Sequence, residues 1–166
     1  MLNRFKNLNA DNQAGFLLGL SETVIDLLSH SSGYEEAKEA LMICWEWLVY
    51  KQKPGDEIYY LLDDGTEFSG LFIHMQMDEE NSQEAVWNCI VDAVAYTDWQ
   101  AYLHQKEKYL PSPIENVDGD LVQHFSDNFY EIKSTNKELV EKFIMYCEKV
   151  ERVDKESLMK YLKSFL

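Results

Sequence analysis

Apolar residues recur at helical spacing through most of this chain, and short polar breaks separate one run from the next. In the first long run, Phe16, Leu20, Val24 and Leu27 follow each other at intervals of four, four and three residues. This period places the four side chains on one face of an α-helix, whereas one face of a strand would require alternation. The pattern therefore predicts an all-α fold whose core is built from the apolar faces of helices.

Capping residues and turn-forming segments predict where the helices begin and end. Asn9 and Asp154 precede apolar runs as helix caps, and Ser31-Ser32-Gly33 and Pro54-Gly55 interrupt the pattern. The predicted helices cover about residues 10–29, 34–52, 56–63, 67–77, 83–106, 118–132, 136–151 and 155–165. The predicted caps or first residues of the later helices are Ser82, Asp118 or Asp120, and Ser134 to Asn136.

One segment allows two secondary structures, because residues 67–77 are compatible with a helix or a strand. We predict a helix there, after a turn at Asp63-Asp64-Gly65-Thr66. At 166 residues the chain has the length of one domain. Leu110-Pro111-Ser112-Pro113 is the only candidate boundary, and the stretch that follows it is too short for a separate domain. We predict one all-α domain over residues 1–166, a single-domain bundle of about seven or eight helices.

The formal net charge of −15 comes entirely from the middle of the chain. Residues 35–131 contain 21 Asp or Glu and 5 Lys or Arg. Within them, residues 54–105 contain 11 acids and no Lys or Arg. A surface that needs only solubility normally mixes both signs of charge. A long stretch of acids without bases is compatible with a protein that is acidic only for solubility, but it favours a surface that binds a basic partner.

Charge of this sign disfavours nucleic acid and anionic membranes as partners, because both repel an acidic surface. A basic protein is the complementary partner. The predicted partner-binding residues are Asp56, Glu57, Asp63, Asp64, Glu67, Asp78, Glu79, Glu80 and Trp99.

The aromatic residues of the helices leave one alternative open. Asp92, Tyr96 and Trp99 share a helical face, which suits an interface hot spot and equally suits a core carboxylate with satisfied hydrogen bonds. Trp45 and Trp47 lie two positions apart and cannot share a helical face. We therefore expect one of these two tryptophans to be more exposed than the other.

No segment carries the spacing of a catalytic or metal site. The two acidic turns, Asp63 to Glu67 and Asp118 to Asp120, lack the ligand spacing of a calcium loop, and Cys and His residues are too scattered for zinc. Phosphate loops and nucleophile elbows are absent from the sequence. The sequence predicts a non-enzymatic protein with no cofactor and no metal.

Three cysteines indicate the compartment. Their number is odd, and each lies in an apolar helical stretch: Cys44, Cys89 and Cys147. We predict buried, reduced thiols and hence a cytoplasmic protein. The apolar runs are too short to cross a membrane, and Glu22 and Asp26 interrupt the region that could imitate a signal peptide.

Three core-type segments together resemble a known family: Phe16-Leu17-Leu18-Gly19-Leu20-Ser21, Leu41-Met42-Ile43-Cys44-Trp45-Glu46-Trp47 and Trp87-Asn88-Cys89-Ile90-Val91-Asp92-Ala93-Val94-Ala95-Tyr96. Their combination is similar to the sixth-numbered family of immunity proteins from bacterial polymorphic toxin systems. The resemblance implies a small all-α protein that binds and neutralises a toxin and so protects the bacterium that produces it. It supplies no binding residues.

The leading hypothesis is a non-enzymatic immunity protein that neutralises a basic bacterial toxin, for example a nuclease, through its acidic surface. The alternative is an acidic adaptor or nucleic-acid mimic that binds another basic partner. A small helical enzyme of unknown type is the third reading, and turnover of a substrate by the isolated protein would favour it.

Overall fold

A computed structural model of the chain describes residues 1–78, 83–117, 119–133 and 136–165. The α-helices are α1 (Leu2–Asn7), α2 (Ala10–Glu22), α3 (Tyr34–Tyr50), α4 (Gly55–Leu62), α5 (Leu71–Met77), α6 (Glu84–Gln105), α7 (Ser112–Glu115), α8 (Gly119–Ile132), α9 (Asn136–Cys147) and α10 (Lys155–Lys163). A 3-10 helix covers Ile25–Leu28. The described residues contain no strand, so the predicted all-α fold is confirmed.

Helix α6 is the centre of the bundle, because α2, α3, α4 and α8 all pack against it. Its middle residues, from Val86 to Asp98, are buried on almost every side. A helix that is surrounded in this way has to be apolar around most of its circumference. Residues 89–96 meet this need with one acid, Asp92, among mainly apolar side chains. The buried residues form one core, which extends from Phe5 to Leu162.

The predicted helix caps are confirmed at both ends of the chain. The Asn9 side chain accepts a hydrogen bond from the backbone N–H of Asn12 at 2.8 Å, and Asp154 accepts one from Ser157 at 2.8 Å. These bonds satisfy backbone donors that a helix leaves free in its first turn. The positions predicted at Ser82, Asp118 and Ser134 lie outside the described residues.

Several predicted boundaries differ from the structure. Helix α2 ends at Glu22, and a 3-10 turn replaces the last part of the predicted helix 10–29. Helix α5 begins at Leu71, so residues 67–70 belong to a loop, and α9 ends at Cys147. None of the helices in the described part of the chain is long and apolar enough to cross a membrane.

The expectation that Trp45 or Trp47 would be the more exposed is wrong, since both rings are buried. Around these two residues, helix α3 is covered by α2 on one side and by α6 on another. The Trp45 indole N–H donates to Glu22 of α2 at 3.1 Å, whereas the Trp47 ring meets His104 of α6 edge-on at 6.1 Å. Two residues on different faces of a helix can both be buried when neighbours cover both faces.

Candidate functional site

The acidic segment comprises α4, the loop 63–70, α5 and Asp78. Six of the predicted partner-binding acids lie in it: Asp56, Glu57, Asp63, Asp64, Glu67 and Asp78. The other two, Glu79 and Glu80, lie outside the described residues. Helices α4 and α5 contact each other and both pack on α6. The acids themselves lie in the first turn of α4, in the loop 63–70 and just after α5.

Helix α4 presents an apolar face to the core and an acidic end to solvent. Ile58 and Leu62 are buried, while Asp56 and Glu57 are exposed in its first turn. The Tyr102 hydroxyl of α6 donates a hydrogen bond to Asp56 at 2.6 Å. This bond ties the acidic end of α4 to the central helix and fixes the position of the Asp56 carboxylate.

Close contact at the start of α4 depends on a glycine. A Cβ atom added at Gly55 would lie 2.7 Å from the ring of Tyr102, closer than van der Waals contact permits. Glycine therefore allows α4 to approach α6 closely enough for the Asp56–Tyr102 bond.

The loop 63–70 is organised around the Asp64 carboxylate. Asp64 accepts hydrogen bonds from the Thr66 backbone N–H at 2.9 Å, from the Thr66 hydroxyl at 2.7 Å and from the Ser69 hydroxyl. These donors stabilise the charged carboxylate and lower the pKa of Asp64, with Ser69 contributing most. Asp63 accepts from the Gly65 backbone N–H at 2.9 Å in the predicted turn. The two carboxylates are thus partly occupied in shaping their own loop.

The far end of the loop is held by α3 and α6. Glu36 of α3 accepts a hydrogen bond from the Gly70 backbone N–H at 3.4 Å, and its carboxylate lies 2.8 Å from Nε2 of His74. Asp78, just after α5, accepts the indole N–H of Trp87 at 2.8 Å. Helices α3 and α6 therefore both position the acidic segment.

Glu67 and Phe68 lie at the exposed part of this loop. In the part of the chain that the structure describes, no hydrogen bond or ion pair engages the Glu67 side chain. Phe68 is 82% exposed, and Tyr60 on α4 is 60% exposed. Sequence reasoning missed Phe68 and Glu36 as surface features of this region. An aromatic residue beside a predicted acidic turn was the available signal for Phe68, but the predicted helix over 67–77 concealed it.

Two of the 11 acids of residues 54–105 do not contribute to the surface. Asp98 is fully buried, and neither of its carboxylate oxygens has a hydrogen-bond partner among the residues that the structure describes. Burial, reinforced by the neighbouring Asp56 charge, raises the pKa of Asp98 to about 8. The surface charge of this stretch is therefore smaller than its composition suggests.

The buried Asp92 decides between the two alternatives left open for its helical face. Its Oδ2 lies 2.8 Å from Nδ1 of the half-exposed His124 on α8. Burial raises the pKa of Asp92 to about 6 although His124 opposes the shift. Asp92 is thus a core carboxylate with a satisfied partner.

Trp99, the ninth predicted binding residue, lies among a different set of neighbours. Its ring contacts Tyr96 at 5.5 Å between centroids, and it lines a cavity of about 250 Å³ with Leu2, Phe5 and Lys6. These neighbours belong to α6 and α1, whereas the acids surround α4, α5 and the loop between them. The structure therefore does not bring Trp99 together with Asp56 in one cluster.

The cysteines are buried and unbridged, as the sequence predicted. Burial raises the pKa of all three thiols, and that of Cys147 reaches about 12. Within the described residues, three or more Cys, His, Asp or Glu side chains nowhere converge as a metal site would require.

Comparison with protein families gives a match to the family described as Immunity protein Imm6. The match spans residues 12–135, about three quarters of the chain. The chain belongs to the Imm6 family. Comparisons with curated proteins and with solved structures give no significant match.

Membership in the Imm6 family confirms the resemblance seen in the sequence. It also implies that the partner of this Imm6 protein is a toxin. The matched residues run from α2 to α8 and include the whole acidic segment, while α9 and α10 lie beyond the match. Immunity protein families are generally non-enzymatic.

Proposed function

We propose that this Imm6 protein neutralises its cognate toxin by binding it without enzymatic turnover, and that the acidic segment forms the contact surface. One observation supports this most directly. The segment carries six described carboxylates, and no Lys or Arg occurs anywhere between residues 54 and 105. Glu79 and Glu80 extend the same run of charge in the sequence.

The proposed toxin has a basic surface, and nucleases are the class that best fits. An enzyme that holds nucleic acid gathers Lys and Arg around its active site to bind phosphate. Carboxylates of the acidic segment would take the place of phosphates on that surface. Inhibition would follow from occlusion of the active site, and Trp99 is proposed as a further contact at a separate edge.

Long-range charge would act mainly on the speed of encounter. Complementary potentials increase the association rate constant, whereas desolvated contacts at the centre of an interface set the dissociation rate. The protein would meet its toxin in the cytoplasm, where buried unbridged thiols such as Cys44 remain reduced.

Glu67→Lys tests the charge contribution without disturbing the fold, because the side chain is exposed and makes no hydrogen bond or ion pair within the described residues. Reversing Asp63 and Asp64 would be less informative, since both carboxylates accept hydrogen bonds in the loop. Glu107→Lys is the matched control: Glu107 is also exposed, and it lies outside the acidic segment.

The experiment combines protection of cells with binding kinetics. The toxin encoded beside this gene is expressed with and without the Imm6 protein, and association of the purified proteins is followed by stopped-flow at two ionic strengths. We expect protection by the wild type, and for Glu67→Lys a several-fold slower association with a weaker salt dependence. Absence of protection by the wild type would overturn the proposed function. Equal association of Glu67→Lys and Glu107→Lys would remove the loop from the contact surface.

A further inference from the structure

Phe68 projects from the acidic segment with 82% of its surface exposed. A single exposed apolar residue is common and by itself has no functional meaning. Phe68 differs because the loop that carries it is held at both ends, and because charge of one sign surrounds it. These two properties are those of an interface anchor.

Three side-chain contacts hold the loop on either side of Phe68. Asp64 is bonded to the Thr66 and Ser69 hydroxyls, and Glu36 accepts from the Gly70 backbone N–H. The Phe68 backbone N–H itself donates to the Thr66 hydroxyl at 3.4 Å. A loop ordered before binding loses less conformational entropy when the complex forms. The exposed Phe68 ring is therefore held in position before a partner binds.

The surroundings of Phe68 define the chemistry of what can cover it. Asp63, Asp64 and Glu67 lie within five residues of it, and the nearest Lys or Arg in the sequence is Lys53. A second copy of this chain would place the same three carboxylates opposite themselves in a symmetric contact, which like charge opposes. A cationic surface with an apolar depression complements both the ring and the carboxylates.

We propose that Phe68 is the anchor of the toxin interface and enters an apolar pocket of the toxin that is rimmed by Lys or Arg side chains. This inference rests on the proposed function and specifies the toxin surface that is recognised. Aromatic anchors at the centre of an interface carry much of the binding energy, and the charges around them mainly exclude wrong partners and speed encounter. Tyr60, 60% exposed on α4, supplies further apolar surface.

Phe68→Ala and Tyr109→Ala form a matched pair for the test. Tyr109 is 89% exposed and lies between α6 and α7, beside Lys106 and Lys108, outside the acidic segment. Both variants remove one exposed ring, so both should keep the far-UV circular dichroism and the melting temperature of the wild type. Binding to the purified toxin encoded beside the gene is measured as association and dissociation rates.

We expect Phe68→Ala to weaken binding by about 30-fold or more, mainly through faster dissociation, while Tyr109→Ala binds like the wild type. Glu67→Lys should instead slow association. The two variants therefore distinguish the effect of the apolar anchor on dissociation from the effect of charge on association. Ser69→Ala removes the hydrogen bond from the Ser69 hydroxyl to Asp64 without changing the charge of the loop. It should weaken binding by a few-fold although Phe68 is retained.

Two outcomes distinguish this inference from the proposed function. If the wild type binds the toxin and Phe68→Ala binds equally well, the anchor is wrong and the proposed function stands. If the wild type neither binds nor protects, both are overturned. Equal losses for Phe68→Ala and Tyr109→Ala would also contradict the anchor, because the effect would then be unspecific.

Discussion

The Tyr102 hydroxyl donates a 2.6 Å hydrogen bond to the Asp56 carboxylate and so joins the central helix to the acidic end of α4. Asp98 lies one turn before Tyr102 on α6, fully buried, and the Asp56 charge contributes to its raised pKa. The acidic segment and an ionisable core residue therefore share one helix contact. A change in charge at Asp98 is expected to act on the stability of this contact.

Asp98→Asn should stabilise the protein increasingly as the pH rises. The pKa of Asp98 rises from 3.8 in the unfolded chain to about 8 in the folded protein. The folded state therefore binds the proton more tightly, and stability is lost between about pH 4 and pH 8, by at most about 1.4 kcal/mol per pH unit. Asparagine is neutral throughout this range and removes the loss.

The measurement is the free energy of unfolding from urea titrations at pH 5, 6, 7 and 8. The difference between Asp98→Asn and the wild type should grow with pH, whereas Glu107→Gln, an exposed control, should show a difference near zero. A constant difference across the range would mean that Asp98 ionises normally in the folded protein.

Gly70→Ala should destabilise the protein more than Gly65→Ala, although both glycines have a left-handed backbone. Their φ angles are +95° and +78°. A Cβ atom at position 70 would lie 2.8 Å from the Leu62 carbonyl oxygen, whereas one at position 65 would have no atom of the described residues within 4 Å. We expect about 1 kcal/mol for Gly65→Ala from backbone strain alone, and about 2 to 4 kcal/mol for Gly70→Ala. Thermal unfolding of the two variants checks this order, and equal midpoints would contradict it.

Asp154→Ala should lower the free energy of unfolding by about 1 kcal/mol, because it removes the side-chain acceptor for the Ser157 N–H at the start of α10. Asp154→Asn is the control, since its carbonyl oxygen can still accept this bond. Chemical denaturation of both variants gives the comparison. A loss of the same size in Asp154→Asn would show that charge, and not the cap, is responsible.

The thiols of Cys44, Cys89 and Cys147 should react with an aromatic disulfide reagent only when the protein opens. Burial keeps them inaccessible and raises the pKa of each, so the reactive thiolate is scarce in the folded state. We expect reaction at neutral pH to accelerate strongly in denaturant and to reach three thiols per chain. Fast reaction of any thiol in the native protein would contradict its burial.

Much of the secondary structure and the fold class could be predicted from the sequence, because these features depend on neighbours along the chain. The stripe of Phe16 and Leu20 and the caps at Asn9 and Asp154 involve residues within one or two helical turns of each other. The same local reasoning placed α3 within two residues of its observed end. The family resemblance was also carried by segments of this kind, and the Imm6 match confirms it.

Tertiary structure decided the burial, pairing or exposure of several side chains that local sequence left open. Asp92 and Asp98 look like surface charge in the composition, but α6 is enclosed by other helices, and Asp92 pairs with His124 from 32 residues away. Phe68 is exposed in a loop whose conformation depends on hydrogen bonds to Asp64 and Glu36, and Trp99 lines a cavity with residues of α1. Periodicity assigns a residue to a face of its own helix. The burial and partners of that face depend on the packing of distant elements, which local sequence does not encode.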